Sequence, residues 1–139
     1  MNIVYKLLKL NSIKTEGKPG LLTEINIEKI CRENSIDFKI YKCFFVNNLD
    51  DLDNSRGNHS NINASEILVC LQGSFDIKLH DGKTEEIIKL KQNEAIFINK
   101  NIWITYYNFV NCIIAAFVSV DITDKESCYD FKEFLLKNN

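Results

Sequence analysis

The chain has 139 residues, 45% of them hydrophobic, with 17 basic and 19 acidic side chains and a formal net charge of −2. That length suits one domain with a continuous core, and the charge offers no basic stripe of the kind nucleic acid requires. The lysines are interleaved with acids, as on a solvated surface, and no apolar run approaches the roughly 18 residues of a membrane span. Met1-Asn2-Ile3-Val4-Tyr5-Lys6 lacks the basic head, apolar core and small-residue cleavage site of a secretory leader, which predicts a cytoplasmic protein.

In chain order, Ile3–Leu10 reads as an apolar strand, and Leu21–Ile27 alternates after the Lys18-Pro19-Gly20 turn. Glu28–Glu33 is a short candidate helix, and Phe38–Val46 is aromatic and β-branched. Asn47–Ser55 is a polar loop. Ile67–Leu71 is a continuous apolar run of the kind buried on both faces, and Phe75–Leu79 alternates. Asp81-Gly82 signals a two-residue hairpin turn, from which Glu86–Leu90 returns. Ala95–Ile98, Ile102–Tyr107 and Cys112–Val120 complete the strands. Ser127 with Asp130 three residues on resembles a capping box, and Phe131, Phe134 and Leu135 then share one face of a C-terminal helix packed on the outside. A set of about nine short strands with regular turn signals predicts an all-β sandwich or barrel. The single proline and the lack of repeats leave no domain boundary, so residues 1–139 form one domain.

Five cysteines, Cys31, Cys43, Cys70, Cys112 and Cys128, are widely spaced with no C-x-x-C pair. Cys43, Cys70 and Cys112 lie in apolar runs, where a reduced thiol behaves as a small hydrophobe.

The chemistry concentrates in Arg56-Gly57-Asn58-His59-Ser60-Asn61, followed by Glu66 and Gly73. The spacing H-x-N-x4-E-x6-G resembles the first conserved block of the cupin β-barrel family, H-x-H-x3-4-E-x6-G, with asparagine at the second histidine. In metal-binding cupins two histidines and a glutamate of this block converge with a histidine of a second block, P-x-G-x2-H-x3-N. The matching stretch runs from Asn99 through Asn101 and Ile104 to Asn108, so the proline, glycine and histidine positions hold other residues. Only His59 and Glu66 remain of four ligands. An iron or zinc site needs at least about three good protein donors, which predicts a protein without a bound metal or other cofactor.

His59 is the candidate for acid/base work, because imidazole titrates near neutral pH; the plainer reading is a hydrogen-bonded histidine at a strand edge. Arg56 is either a loop charge or a fixed cation for a developing enolate or a substrate phosphate. Glu66 either pairs with Arg56 or is exposed, and Gly73 serves a turn. Asn61 can orient substrate or a water but moves no proton at neutral pH. His80 is expected to be exposed and without a role. Trp103 and Tyr107 fall on one face of their strand and Tyr106 on the other, either filling the core or forming a stacking platform for a base or sugar.

These residues resemble a narrower family, the metal-free cupin sugar 3,4-ketoisomerases acting on dTDP-4-keto-6-deoxyglucose, with the signature R-G-x-H-A-H. The resemblance rests on Arg56-Gly57-Asn58-His59, the run Ile67-Leu68-Val69-Cys70-Leu71-Gln72-Gly73-Ser74, the Asp81-Gly82 hairpin, Trp103 and Tyr129-Asp130-Phe131-Lys132. It covers roughly residues 36–137 well and the N-terminal third loosely. It implies a cupin jelly-roll barrel with a C-terminal helix. It also implies removal of the C3 proton beside the C4 ketone and reprotonation of the enediol at C4. The 3-keto-6-deoxyhexose nucleotide so formed feeds aminotransfer and then acyl or formyl transfer, as in the lipopolysaccharides and other surface glycans. His59 and Arg56 match the family's first catalytic histidine and its arginine, so His59, Arg56 and Asn61 form the expected catalytic set. Glu66, Trp103, Tyr106 and Tyr107 form the expected substrate-binding set. The family also implies a homodimer, sometimes with exchanged N-terminal strands, for which Ile3–Leu10 is the candidate. Two departures stand out: Asn61 replaces the family's second histidine, and Ile104 the histidine after the tryptophan. The other readings are a non-catalytic nucleotide-sugar-binding cupin, a 3,5-epimerase of the same substrate, and a metal-dependent dioxygenase.

Overall fold

The computed structural model describes residues 4–120 and 127–139. Ile3, the first residue of the expected N-terminal strand, lies outside them. Ten strands and two helices follow in the order β1 (Tyr5–Lys9), β2 (Asn11–Ile13), β3 (Leu22–Glu24), α1 (Ile27–Glu33), β4 (Lys42–Leu49), β5 (Arg56–Asn61), β6 (Glu66–His80), β7 (Glu85–Lys91), β8 (Glu94–Ile98), β9 (Trp103–Val118), β10 (Ser127–Cys128) and α2 (Phe131–Asn138). Eight strands form one antiparallel sheet in the order β1-β8-β6-β9-β5-β10, with β4 on β9 and β7 on β6; β2 and β3 make a separate hairpin. Among the described residues no helix is long and apolar enough to cross a membrane.

The all-β expectation holds, and its main correction is continuity. The two runs Ile67–Leu71 and Phe75–Leu79 are one strand, β6, and Ile102–Tyr107 and Cys112–Val120 merge into β9. Register shifts between Cys70 and Asp76 mark where these two long strands bend together. Gly73 sits at that bend rather than in a turn between strands. It holds φ +71°, and a Cβ there would lie 2.1 Å from the Val110 carbonyl oxygen, so a side chain is excluded by backbone on the neighbouring strand.

The bend folds the sheet over its own apolar side chains. Leu68, Cys70, Ile96 and Ala116 of one half meet Phe75, Ile77, Leu79 and Ile104 of the other in a single interior cluster. Beyond the bend β6 alternates as a half-buried strand should, with Phe75, Ile77 and Leu79 no more than 2% exposed. Before it, Ile67 and Val69 point the opposite way, into a second cluster covered by Ile27, Ile30 and Cys31 of α1. The doubly buried run ends at Cys70; Leu71 is exposed.

Smaller expectations shift at element ends. Leu21–Ile27 is strand only over Leu22–Glu24, because Asn26 caps α1: its Oδ1 accepts the Lys29 N–H at 3.0 Å. The strand expected over Phe38–Val46 runs instead from Lys42 to Leu49, and Phe38 packs edge-on against Phe97. The turn after β6 spans residues 81–84 rather than two residues, because Asp81 Oδ1 accepts the N–H groups of both Lys83 and Thr84 at 2.8 Å. The capping box at the C-terminus is absent. Asp130 is itself the cap, accepting from Lys132 N and Glu133 N, and Ser127 belongs to β10. Helix α2 places Phe134, 1% exposed, against Trp103 and Cys128, a burial that contributes about 1.5–3 kcal/mol. All five cysteines are free, but Cys43 is exposed on β4 and is not a core thiol.

Candidate active site

Strand β5 carries the Arg-Gly-x-His block and pairs antiparallel with the first part of β9: Arg56 opposite Tyr106, Gly57 opposite Thr105, His59 opposite Ile104. One residue, Asn58, is left over between these pairs, a β-bulge with Gly57 at φ +82° and Asn58 at φ 55°. The bulge matters because positions 56 and 59 differ in parity. A regular strand would send their side chains to opposite faces; the extra residue puts both on one cavity.

Gly57 is required for this arrangement. A Cβ at that position would stand 2.8 Å from the Ile104 carbonyl oxygen and 3.1 Å from the Tyr106 ring, in a backbone conformation that L side chains resist. Gly57→Ala is therefore expected to cost about 1–3 kcal/mol of stability, read as a lowered denaturant midpoint. Tyr106 is displaced in the same step.

The cavity holds about 280 Å³ and opens from the interior cluster between the two halves of the sheet. Phe44, Val46, Leu49, Leu68, Ile114 and Ala116 give it apolar walls, and Arg56, His59, Glu66, Tyr106, Lys42 and Tyr129 place polar groups in it. Arg56 and Lys42 are the cations among these residues. The His59 ring lies against Tyr129 with centroids 5.6 Å apart.

Glu66 has neither of its expected settings. It is 4% exposed and forms no ion pair with Arg56 among the described residues. Asn61 Nδ2 donates to its Oε1 at 2.8 Å, and the Tyr106 hydroxyl donates to its Oε2 at 3.3 Å. Burial pushes the Glu66 carboxyl above its ordinary range, and the charge of His59 with these two hydrogen bonds pulls it partly back. Burial and the neighbouring Glu66 raise the Tyr106 phenol well above its ordinary value, while the Arg56 charge opposes them. Three adjacent strands, β5, β6 and β9, thus bring a histidine, a carboxyl, a phenol and a guanidinium onto one cavity.

Asn61 is 2% exposed and does not line the cavity; it fixes Glu66, and the Ser127 hydroxyl donates to its Oδ1 at 3.4 Å. Trp103 and Tyr107 stand on the opposite face of β9 from Tyr106. Trp103 packs under α2 against Phe131 and Phe134, with ring centroids 5.1 and 5.6 Å away, and Tyr107 lies beside Lys78. Neither lines the cavity, so the stacking platform expected from this strand reduces to Tyr106. His80 is not exposed and idle: its Nδ1 accepts the Gly82 N–H at 2.9 Å, and its ring packs against Phe131 and Phe134. The sequence reading missed Lys42 and Tyr129. Tyr129 stands within a stretch that carried the family resemblance, whereas nothing in the alternation of β4 marks Lys42.

Ile104, at the place of a second-block ligand, is 1% exposed and pairs with His59 across the strands. Among the described residues no three His, Cys, Asp or Glu side chains cluster as metal ligands.

The family model FdtA, WxcM-like C-terminal, matches residues 4–139. No curated protein sequence matches. Solved structures do. WlaRA, a TDP-fucose-3,4-ketoisomerase from Campylobacter jejuni, is 30% identical over 99% of this chain and 97% of its own, with a TM-score of 0.82. WlaRB, the TDP-quinovose 3,4-ketoisomerase of the same organism, is 27% identical over 95% and 97% with a TM-score of 0.79. A 3,4-ketoisomerase from Helicobacter canadensis is 26% identical over 98% of both chains with a TM-score of 0.84.

Proposed function

The chain belongs to the FdtA, WxcM-like C-terminal family of cupin-type sugar ketoisomerases, and from that premise we propose that it is a metal-independent dTDP-sugar 3,4-ketoisomerase. Its substrate is dTDP-4-keto-6-deoxyglucose and its product a dTDP-3-keto-6-deoxyhexose, made for deoxyaminosugars of surface glycans. The observation that carries this reading is the bulge at Asn58, which sets His59 and Arg56 on the cavity that Glu66 and Tyr106 also face.

In this reading His59 takes the proton from C3, whose acidity comes from the adjacent C4 ketone. Arg56 stands near the phenol of Tyr106, where a fixed cation lowers the energy of the enediolate as negative charge moves onto oxygen. His59 returns a proton to C4. The apolar walls from β4 and β9 exclude water from the carbanionic centre and strengthen these electrostatic contacts. Lys42, also on the cavity, supplies a cation for the pyrophosphate. Asn61 acts through Glu66 rather than on substrate. With asparagine at the second histidine's place, Tyr106, which faces the cavity, can stand in for it, whereas Tyr107 does not line the cavity.

The protein is read as a homodimer, with exchange of the N-terminal strand as the route. Among the described residues β1 is an edge strand paired with β8, and β4, likewise at an edge, exposes Tyr41 just before it and Phe45 within it at 62% and 65%. Five unpaired thiols suit the reducing cytoplasm.

A second reading is a nucleotide-sugar binder without turnover, favoured by the loss of both histidines at Asn61 and Ile104. Incubation with dTDP-4-keto-6-deoxyglucose and EDTA separates the two. The ketoisomerase reading predicts a 3-keto product by proton NMR at an undiminished rate, and a rate abolished by EDTA and restored by a divalent metal sinks the metal-free mechanism. The coupling constants at C4 also report its configuration; relatives of both the fucose and the quinovose type match the chain at similar identity.

A further inference from the structure

The ketoisomerase reading leaves a chemical gap. Moving the carbonyl from C4 to C3 transfers one hydrogen between carbons and another between oxygens. One imidazole handles the first; the second needs a group that protonates O4 and later deprotonates O3. Asn61 has no titratable proton and does not reach the cavity.

We propose that Tyr106 and Glu66 together are this second proton carrier, with the Tyr106 hydroxyl facing the substrate oxygens and Glu66 behind it as the proton store. Three observations place them. Both line the same cavity as His59. The Tyr106 oxygen and Glu66 Oε2 are 3.3 Å apart, and either can hold the shared proton, since a phenol donates to a carboxylate and a protonated carboxyl donates to a phenol oxygen. The other carboxylate oxygen is fixed by Asn61 Nδ2 at 2.8 Å, which leaves Oε2 facing Tyr106.

The proton count closes. In the first half, His59 removes the C3 hydrogen and the C3–H electron pair becomes the C3=C4 bond. The C4=O π pair moves to O4, which takes the Tyr106 proton as Glu66 passes its own to Tyr106. In the second half the imidazolium protonates C4. The O3 proton goes to Tyr106, whose own proton returns to Glu66, and the O3 pair forms the new carbonyl. Both side chains end as they began. At the enediol stage His59 is cationic and the buried Glu66 anionic, so the two charges form and vanish together, which offsets the cost of charging Glu66 alone. Burial raises the Glu66 carboxyl above its ordinary range, the direction that favours the protonated form from which the relay starts.

This rests on the ketoisomerase reading, and the experiment separates the two. Glu66→Gln and Tyr106→Phe are measured beside the wild type for kcat, KM, dTDP binding and the pH dependence of kcat/KM. Each variant is expected to lose about 10²-fold or more in kcat with dTDP affinity retained. The wild type is expected to lose activity as pH rises through the elevated Glu66 value, and Glu66→Gln to lack that limb. Conversion by Tyr106→Phe within about threefold of the wild type overturns the relay and leaves the isomerase intact. A slowed Glu66→Gln that keeps the high-pH limb overturns Glu66 as the proton store. A wild type that binds dTDP yet converts nothing removes the isomerase reading, and the relay with it.

Discussion

His59→Asn is expected to lower turnover of dTDP-4-keto-6-deoxyglucose by about 10²–10⁴-fold while leaving dTDP affinity nearly unchanged. The exchange leaves the backbone pairing of position 59 with Ile104 and the Asn58 bulge in place, because both are made by main-chain groups. What asparagine cannot do is hold a proton at neutral pH. The lost ring contact with Tyr129 loosens one wall of the cavity, an effect on KM rather than on the chemical step. Steady-state kinetics with a dTDP binding isotherm check both parts. Turnover within about threefold of the wild type would show that another group is the base.

Arg56→Met is expected to cost about 10²–10³-fold in kcat, because a fixed cation is worth most where charge develops rather than where it already exists. The arginine is exposed along part of its length yet lines the cavity next to Tyr106, so removing it leaves no uncompensated buried group. Arg56→Lys keeps the charge and loses the planar fork, and its kcat is expected between the wild type and Arg56→Met. A change confined to KM in both variants would assign Arg56 to ground-state binding of the pyrophosphate instead.

The sequence carried the all-β class and the block on β5 because both rest on local signals: alternation, turn residues and a fixed spacing. It divided β6 and β9 because Gly73, Asn108 and Asn111 look like turn residues. In the fold they occupy positive-φ sites within continuous strands, where the sheet bends. The same confusion of a bend with an end hid the bulge at Asn58. Without it, strand parity places Arg56 and His59 on opposite faces.

The setting of Glu66 was not legible. Its partners, Asn61 and Tyr106, are 5 and 40 residues away in the chain and meet it only when β5, β6 and β9 lie side by side. Trp103 illustrates the reverse case: alternation separated it from Tyr106, but only the packing of α2 decides which face is covered and which lines the cavity. Glu66 also predicts a pH-dependent stability. A carboxyl whose folded value is raised contributes stability that is fully present below its unfolded value and is lost as pH rises through the folded one. Glu66→Gln is accordingly expected to narrow or reverse its stability deficit against the wild type on going from acid to neutral pH, measured by urea titration.

A proton NMR time course of dTDP-4-keto-6-deoxyglucose with the protein in D2O and EDTA decides whether this cavity enolises a 4-keto sugar nucleotide without metal. A 3-keto product is expected, with deuterium at C4 in proportion to exchange of the His59 imidazolium with solvent before it reprotonates the enediol. Tight binding of the nucleotide sugar with neither exchange at C3 nor conversion would contradict enolisation in this cavity and leave a sugar-nucleotide binder.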